Sequence, residues 1–108
     1  MAYSKRIPPI KLVLTIKEYN NLIGVLTKNI EESQNNIIND LANLTKEKLL
    51  KYSIPRKIDD DNIEIEIRLY INEAADIISL LLAYVDNKFK EIDYYQLLLK
   101  VQEVMNNN

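Results

Sequence analysis

Two carboxylates two positions apart, Glu64 and Glu66 in NIEIEIRLYINEAADIISLLL, come nearest to a reaction centre in this chain. Paired carboxylates act as acid and base when their surroundings drive their pKa values apart. Residues i and i+2 of a strand share a face, so the two would stand side by side, beside water and opposite Lys or Arg. Such a setting keeps both ionised and leaves neither as an acid. The other usual carriers of chemistry are missing. No histidine supplies a base near neutral pH, and Ser4, Ser33, Ser53 and Ser79 have none to activate them. Without Cys or His the common zinc sites cannot be built. The single glycine, Gly24, cannot make a phosphate-cradling loop. Asp59-Asp60-Asp61 has the acids that open a calcium loop, but the glycine at position six and the bidentate Glu at position twelve are absent. A solvated turn is the expectation there. The residues predict a protein with no enzymatic activity, no cofactor and no metal.

What remains are groups that make contacts. Tyr94 and Tyr95 form an aromatic pair at the start of a helix, and aromatic residues concentrate at the centres of contact surfaces. With Tyr94 packed inward and Tyr95 flanking the cap, the pair is equally well explained as structure. Glu64, Glu66, Arg68 and Tyr70 share the polar face of a strand and are candidates to meet a partner. Lys48, Lys51, Arg56 and Lys57 are the densest basic cluster and, with Lys11, are candidates to contact phosphate. Lysines after a helix end also suit its dipole.

The elements that position these groups follow from apolar spacing. Ile63, Ile65, Ile67, Leu69 and Ile71 fall on every second position, which predicts a strand over 63–71 with one aliphatic face. Ile10, Leu12, Leu14 and Ile16 predict another over 10–16, with Lys11, Val13 and Thr15 on its other side. Helical spacing begins near Lys17 with Leu22, Ile23, Leu26 and Ile30, and resumes with Ile37, Ile38, Leu41 and Leu44. The polar run Glu31–Asn36 between them predicts a break near Ser33, with Ser33 as cap, and Thr45 is placed to cap a further turn. Pro55 ends this helical region near Tyr52, and Arg56–Asn62 reads as a charged loop. Asn72 is placed to cap a helix over 73–88 that is apolar nearly all round and belongs at the centre of the core or in a subunit interface. Asp93 and Gln96 resemble a capping box before a last helix.

The expected fold is α+β and predominantly helical: two strands in a small sheet packed on about four helices. It forms a single domain over 10–105, after an extended arm at 1–9 containing Pro8-Pro9 and before a frayed tail at 106–108. Set against each other with an offset of 55, Ile10–Leu26 and Ile65–Leu81 share Ile10/Ile65, Leu14/Leu69, Ile16/Ile71, Glu18/Glu73, Ile23/Ile78 and Leu26/Leu81. That similarity fits a β-α-α unit present twice, over 10–54 and 63–105, but any amphipathic strand followed by an amphipathic helix aligns as well.

In its strand–helix–helix order the chain resembles the ribbon-helix-helix DNA-binding family. The resemblance lies in IKLVLTIKEYNNLIGVL with SQNNIINDLANL, and in IEIRLYINEAADIISLLL with DYYQLLLKV. It implies a single-chain pseudo-dimer whose ribbon presents Lys11, Val13, Thr15, Glu64, Glu66, Arg68 and Tyr70 to the major groove. The family's glycine between the helices is missing, and two Glu on that face oppose a polyanion.

Charge is unevenly spread: residues 1–57 carry ten Lys/Arg and five Asp/Glu, whereas 58–108 carry four and eleven. No apolar run is long enough for a membrane span or signal peptide, and no cysteine indicates an oxidising compartment. A cytoplasmic protein is expected, with no membrane contact. The favoured expectation is a small protein-interaction module, a homodimer that occupies the surface of another protein, in the manner of inhibitors and accessory factors of phages and plasmids. The alternative is a ribbon-helix-helix-like DNA-binding regulator.

Overall fold

A computed structural model describes residues 8–59, 61–88 and 92–106, leaving aside the side chains of 85–88 and 92–94. The expected arm and tail lie largely outside the described residues. The elements run β1 (Ile10–Thr15), α1 (Ile16–Glu32), α2 (Asn36–Tyr52), β2 (Ile54–Lys57), β3 (Ile63–Leu69), α3 (Ile71–Lys88) and α4 (Ile92–Asn106). This is the expected α+β, mainly helical class, with one strand more than the alternation pattern showed. The sheet is antiparallel throughout, in the order β1-β3-β2.

Pairing of Ile10 with Leu69, Leu12 with Ile67 and Leu14 with Ile65 gathers the aliphatic side chains of both long strands on one face. The helices cover that face. Leu22, Val25 and Leu26 of α1, Leu49 of α2, Ile77, Leu80 and Leu81 of α3, and Leu97 and Val101 of α4 are all buried with it. Burial at roughly 25 cal/mol per Å² of apolar surface is what holds so small a sheet together. Among the described residues, Asn29 and Thr45 are polar residues buried within the helical layer. Asn29 continues the buried stripe of α1, and its amide donates to the Leu80 carbonyl of α3 at 3.1 Å, which ties the two helices together.

Helix starts differ from expectation for a common reason: caps set them, not apolar period. α1 begins at Ile16 because Thr15 and Glu18 form a capping box, each side chain accepting from the other's backbone N–H. α3 begins at Ile71, where the Glu73 carboxylate accepts from Tyr70 N–H; Asn72 is an exposed first-turn residue and not the cap. The break between α1 and α2 is present, but Ser33 terminates α1 and Asn35 caps α2 by accepting from Ile37 and Ile38. Thr45 caps nothing; it is buried inside the unbroken α2. α4 begins at Ile92, so Asp93 lies within it. α3 is less enclosed than its composition suggests, with Leu82 exposed and Ile78 half-buried.

The largest correction concerns Arg56 and Lys57, which belong to β2 and not to a loop. β2 and β3 form a hairpin closed by Ile58–Asn62. There the Asp59 carboxylate accepts from the backbone of Asp61 and Asn62 and from the Asn62 side chain.

Candidate functional site

The outward face of the sheet carries the densest set of interacting charges. Register assigns its members. Lys11, Val13 and Thr15 of β1 lie beside Arg68, Glu66 and Glu64 of β3, and Ile54 and Arg56 of β2 lie beside Glu66 and Glu64. Residues directly opposite in a ladder point the same way, so all eight share one face. Glu66 stands at its centre, on the middle strand, between Val13 and Ile54.

Three cations converge on that carboxylate. Arg56 Nε lies 3.1 Å and Lys11 Nζ 3.5 Å from Oε1, while Arg68 Nε donates to Oε2 at 3.3 Å. The Glu66 side chain retains only 4% of its surface exposure, against 49%, 58% and 39% for Lys11, Arg56 and Arg68. It is therefore roofed by the long cationic side chains rather than sunk in the apolar core. Removal from water raises its pKa, but Arg56, Lys11 and Arg68 outweigh this and hold it below the ordinary carboxylate range. A carboxylate so held stays ionised and is a poor proton donor. Its expected position beside water is thus corrected. The three cations, by contrast, stay partly exposed, and against Glu66 and Glu64 on the same face they leave an excess of one positive charge. Glu64 is the next residue on the same face of β3 and is half-buried.

The remaining sequence candidates are dispersed. Tyr70 lies past the end of β3 and is exposed at the α3 start. Tyr95 is exposed on α4, while the Tyr94 side chain lies outside the described residues. Lys48 pairs with Glu73 of α3 at 3.2 Å, and the Lys51 ammonium sits 5.4 Å from the centre of the Tyr52 ring. Lys57 is exposed on β2. Of the five basic candidates only Lys11 and Arg56 converge on one point.

Compared with family models, curated proteins and solved structures, the chain matches none. Among the described residues no three acidic side chains gather as a metal site would require. Asp59 is committed to its turn, where its hydrogen bonds with Asn62 and Asp61 lower its pKa. No described helix is long and apolar enough to cross a membrane. Arg56 is the member whose role the apolar pattern did not reveal. The signal was the Asp/Asn cluster at 59–62, a turn marker set between IPRKI and IEIEI.

Proposed function

We propose that this protein is a non-enzymatic interaction module, of the inhibitor or accessory type found in phages and plasmids, which docks its outer sheet face against an acidic surface of another protein. The observation that carries this reading is Glu66, covered by three cations that themselves remain partly exposed. Strands fix where the cations start, and the carboxylate restricts where they end. Less side-chain freedom is then lost on docking, which favours affinity. Val13 and Ile54 supply apolar contact at the centre of the face, and charges around such a centre set register and on-rate. Self-association as a homodimer belongs to the same reading; Leu82 of α3 and Leu99 of α4 are exposed leucines that a second copy would cover.

A ribbon-helix-helix-like DNA-binding role is the second reading. It is favoured by the occurrence of strand–helix–helix twice and by the antiparallel pairing of β1 with β3. The cations around Glu66 weaken the objection from acidic residues, but an excess of one charge on this face, counting Glu64, is small for a polyanion.

One set of proteins tests both. Wild type and the R56Q/R68Q variant, each verified by circular dichroism, are used to capture partners from host lysate and are titrated against random duplex at low salt. A protein retained by the wild type and lost by the variant is the expected result. Identical capture by both removes the outer face as the docking surface. Duplex retardation that falls with salt moves the assignment to the second reading.

A further inference from the structure

Arg56 and Arg68 approach Glu66 from two strands but in the same manner. Each turns Nε toward the carboxylate, Arg56 at 3.1 Å from Oε1 and Arg68 at 3.3 Å from Oε2. Nε lies on the flank of a guanidinium, so the terminal Nη1 and Nη2 groups remain beyond it. Among the described residues those groups donate to nothing; the one hydrogen bond either guanidinium makes is that from Arg68 Nε. Glu66 Oε1 accepts no hydrogen bond, so Arg56 and Lys11 are held beside it by charge alone. The face therefore carries two guanidinium groups anchored by their flanks, both partly exposed, with forked ends unpaired among the described residues.

A guanidinium fork meets a carboxylate or a phosphate through two parallel N–H bonds, a geometry no ammonium reproduces. Charge separates these two anions. Lys11, Arg56 and Arg68 against Glu64 and Glu66 leave the face one positive charge in excess. A single carboxylate neutralises that excess. A phosphate monoester carries nearly two charges at neutral pH, and its surplus would be set against Glu64 and Glu66. Val13 and Ile54 flank Glu66 in the same row of the sheet, so the anion arrives beside aliphatic side chains. We propose that Arg56 and Arg68 grip a single Asp or Glu carboxylate of the partner protein through their Nη groups, with an aliphatic side chain of the partner seated over Val13 and Ile54. This rests on the protein-interaction reading and names the group recognised and how it is held. Glu66 is then a positioning residue, which fixes both guanidinium groups from beneath and does not itself meet the partner.

The probe is the capped tripeptide Leu-Glu-Leu, titrated into the labelled full chain while NMR follows the Nε–H signals of Arg56 and Arg68 and the amides of β2 and β3. Both arginine signals should shift. Binding should weaken about tenfold when Gln replaces the peptide's Glu, and should not tighten when phosphoserine replaces it. R56K/R68K keeps every charge but has no fork, and it should also lose about tenfold. Circular dichroism checks its fold, and R56K alone serves if the double change disturbs it. Equal affinity for the Gln peptide, tighter binding of the phosphoserine peptide, unchanged affinity in the Lys variant, or no shift at either arginine overturns the proposal. Partner capture distinguishes this failure from failure of the docking face. Capture lost in both R56Q/R68Q and R56K/R68K is the expected result. Capture lost in the Gln variant and kept in the Lys variant removes the fork and leaves the face. Capture unchanged in both removes the face and the fork with it.

Discussion

Glu18 and Glu73 hold the two halves of the molecule together by reciprocal means. Each caps the helix it begins, accepting from Thr15 N–H or Tyr70 N–H at 2.9 Å. Each also takes a lysine from the far half, Lys100 at 2.8 Å for Glu18 and Lys48 at 3.2 Å for Glu73. Neither carboxylate is fully in water, with side chains 25% and 20% exposed. One residue thus couples a helix start to a long-range contact in each half.

Glu18→Ala and Glu73→Ala are expected to destabilise alike, by about 1 kcal/mol each from cap and ion pair together. Urea unfolding of both variants and of K100A and K48A measures this. A double-mutant cycle should return coupling within each pair, Glu18–Lys100 and Glu73–Lys48, and none between Glu18 and Lys48. Sharply unequal costs for the two glutamates would show that the recurrence is one of shape and not of energetics.

Stability should fall on acidification through Glu66 and Glu18. Partial burial raises the Glu18 pKa, but the Lys100 and Thr15 hydrogen bonds outweigh it and lower it overall; Glu66 is lowered by its three cations. A carboxylate with a depressed folded pKa contributes stability above its unfolded value, about 4.3, and loses it as pH falls through the folded value. Melting temperature should therefore drop steeply below that point. In E66Q the acid limb should flatten, while the melting temperature at neutral pH falls because Lys11, Arg56 and Arg68 are left facing one another. An acid limb unchanged in E66Q would remove Glu66 from the electrostatic balance.

The long strands were legible because their period is two over consecutive residues, a pattern no helix reproduces. Their ends were not, because Ile16 and Ile71 continue the alternation while already belonging to helices. What decides those boundaries is the carboxylate two residues later, and apolar spacing carries no trace of it. β2 is the opposite case. Ile54, Pro55, Arg56 and Lys57 are all exposed, so no burial pattern exists to read; only backbone pairing to β3 makes them a strand. The burial of Glu66 was hidden for a related reason. It depends on Lys11 and Arg56 arriving from two other strands in register, and those pairings lie 55 and 10 residues away in sequence.

Leu12 and Ile67 face each other at the centre of the sheet and are both essentially inaccessible to solvent. Either residue replaced by Ala should cost about 2–5 kcal/mol, the range for a cavity in a core that cannot fully collapse. Ile67→Asp places an unpaired charge in the same position and should abolish the folded state, read as loss of helical circular dichroism. Native ellipticity and melting in I67D would mean that the aliphatic face of β3 is not what the helices cover.

β2 should be the first part of the sheet to open. Its four residues contribute exposed side chains, and its outer edge has no strand beside it among the described residues. It is held by pairing with β3 and by the 58–62 turn, in which Asp59 accepts three kinds of hydrogen bond at 2.9–3.0 Å. Local opening follows from few buried contacts, and amide exchange reports it directly. In Asp59→Ala the amides of Ile54, Arg56, Lys57 and Ile58 should exchange faster, while those of β1 and of α1 keep wild-type rates. Because hydrogen bonding lowers the Asp59 pKa, protonation should act like the mutation. Protection of β2 in the wild type should be present above the ordinary carboxylate range and decline as pH falls below it, whereas in D59A it should be low throughout. Uniform loss of protection across all three strands in D59A would instead make the hairpin turn part of the global folding unit.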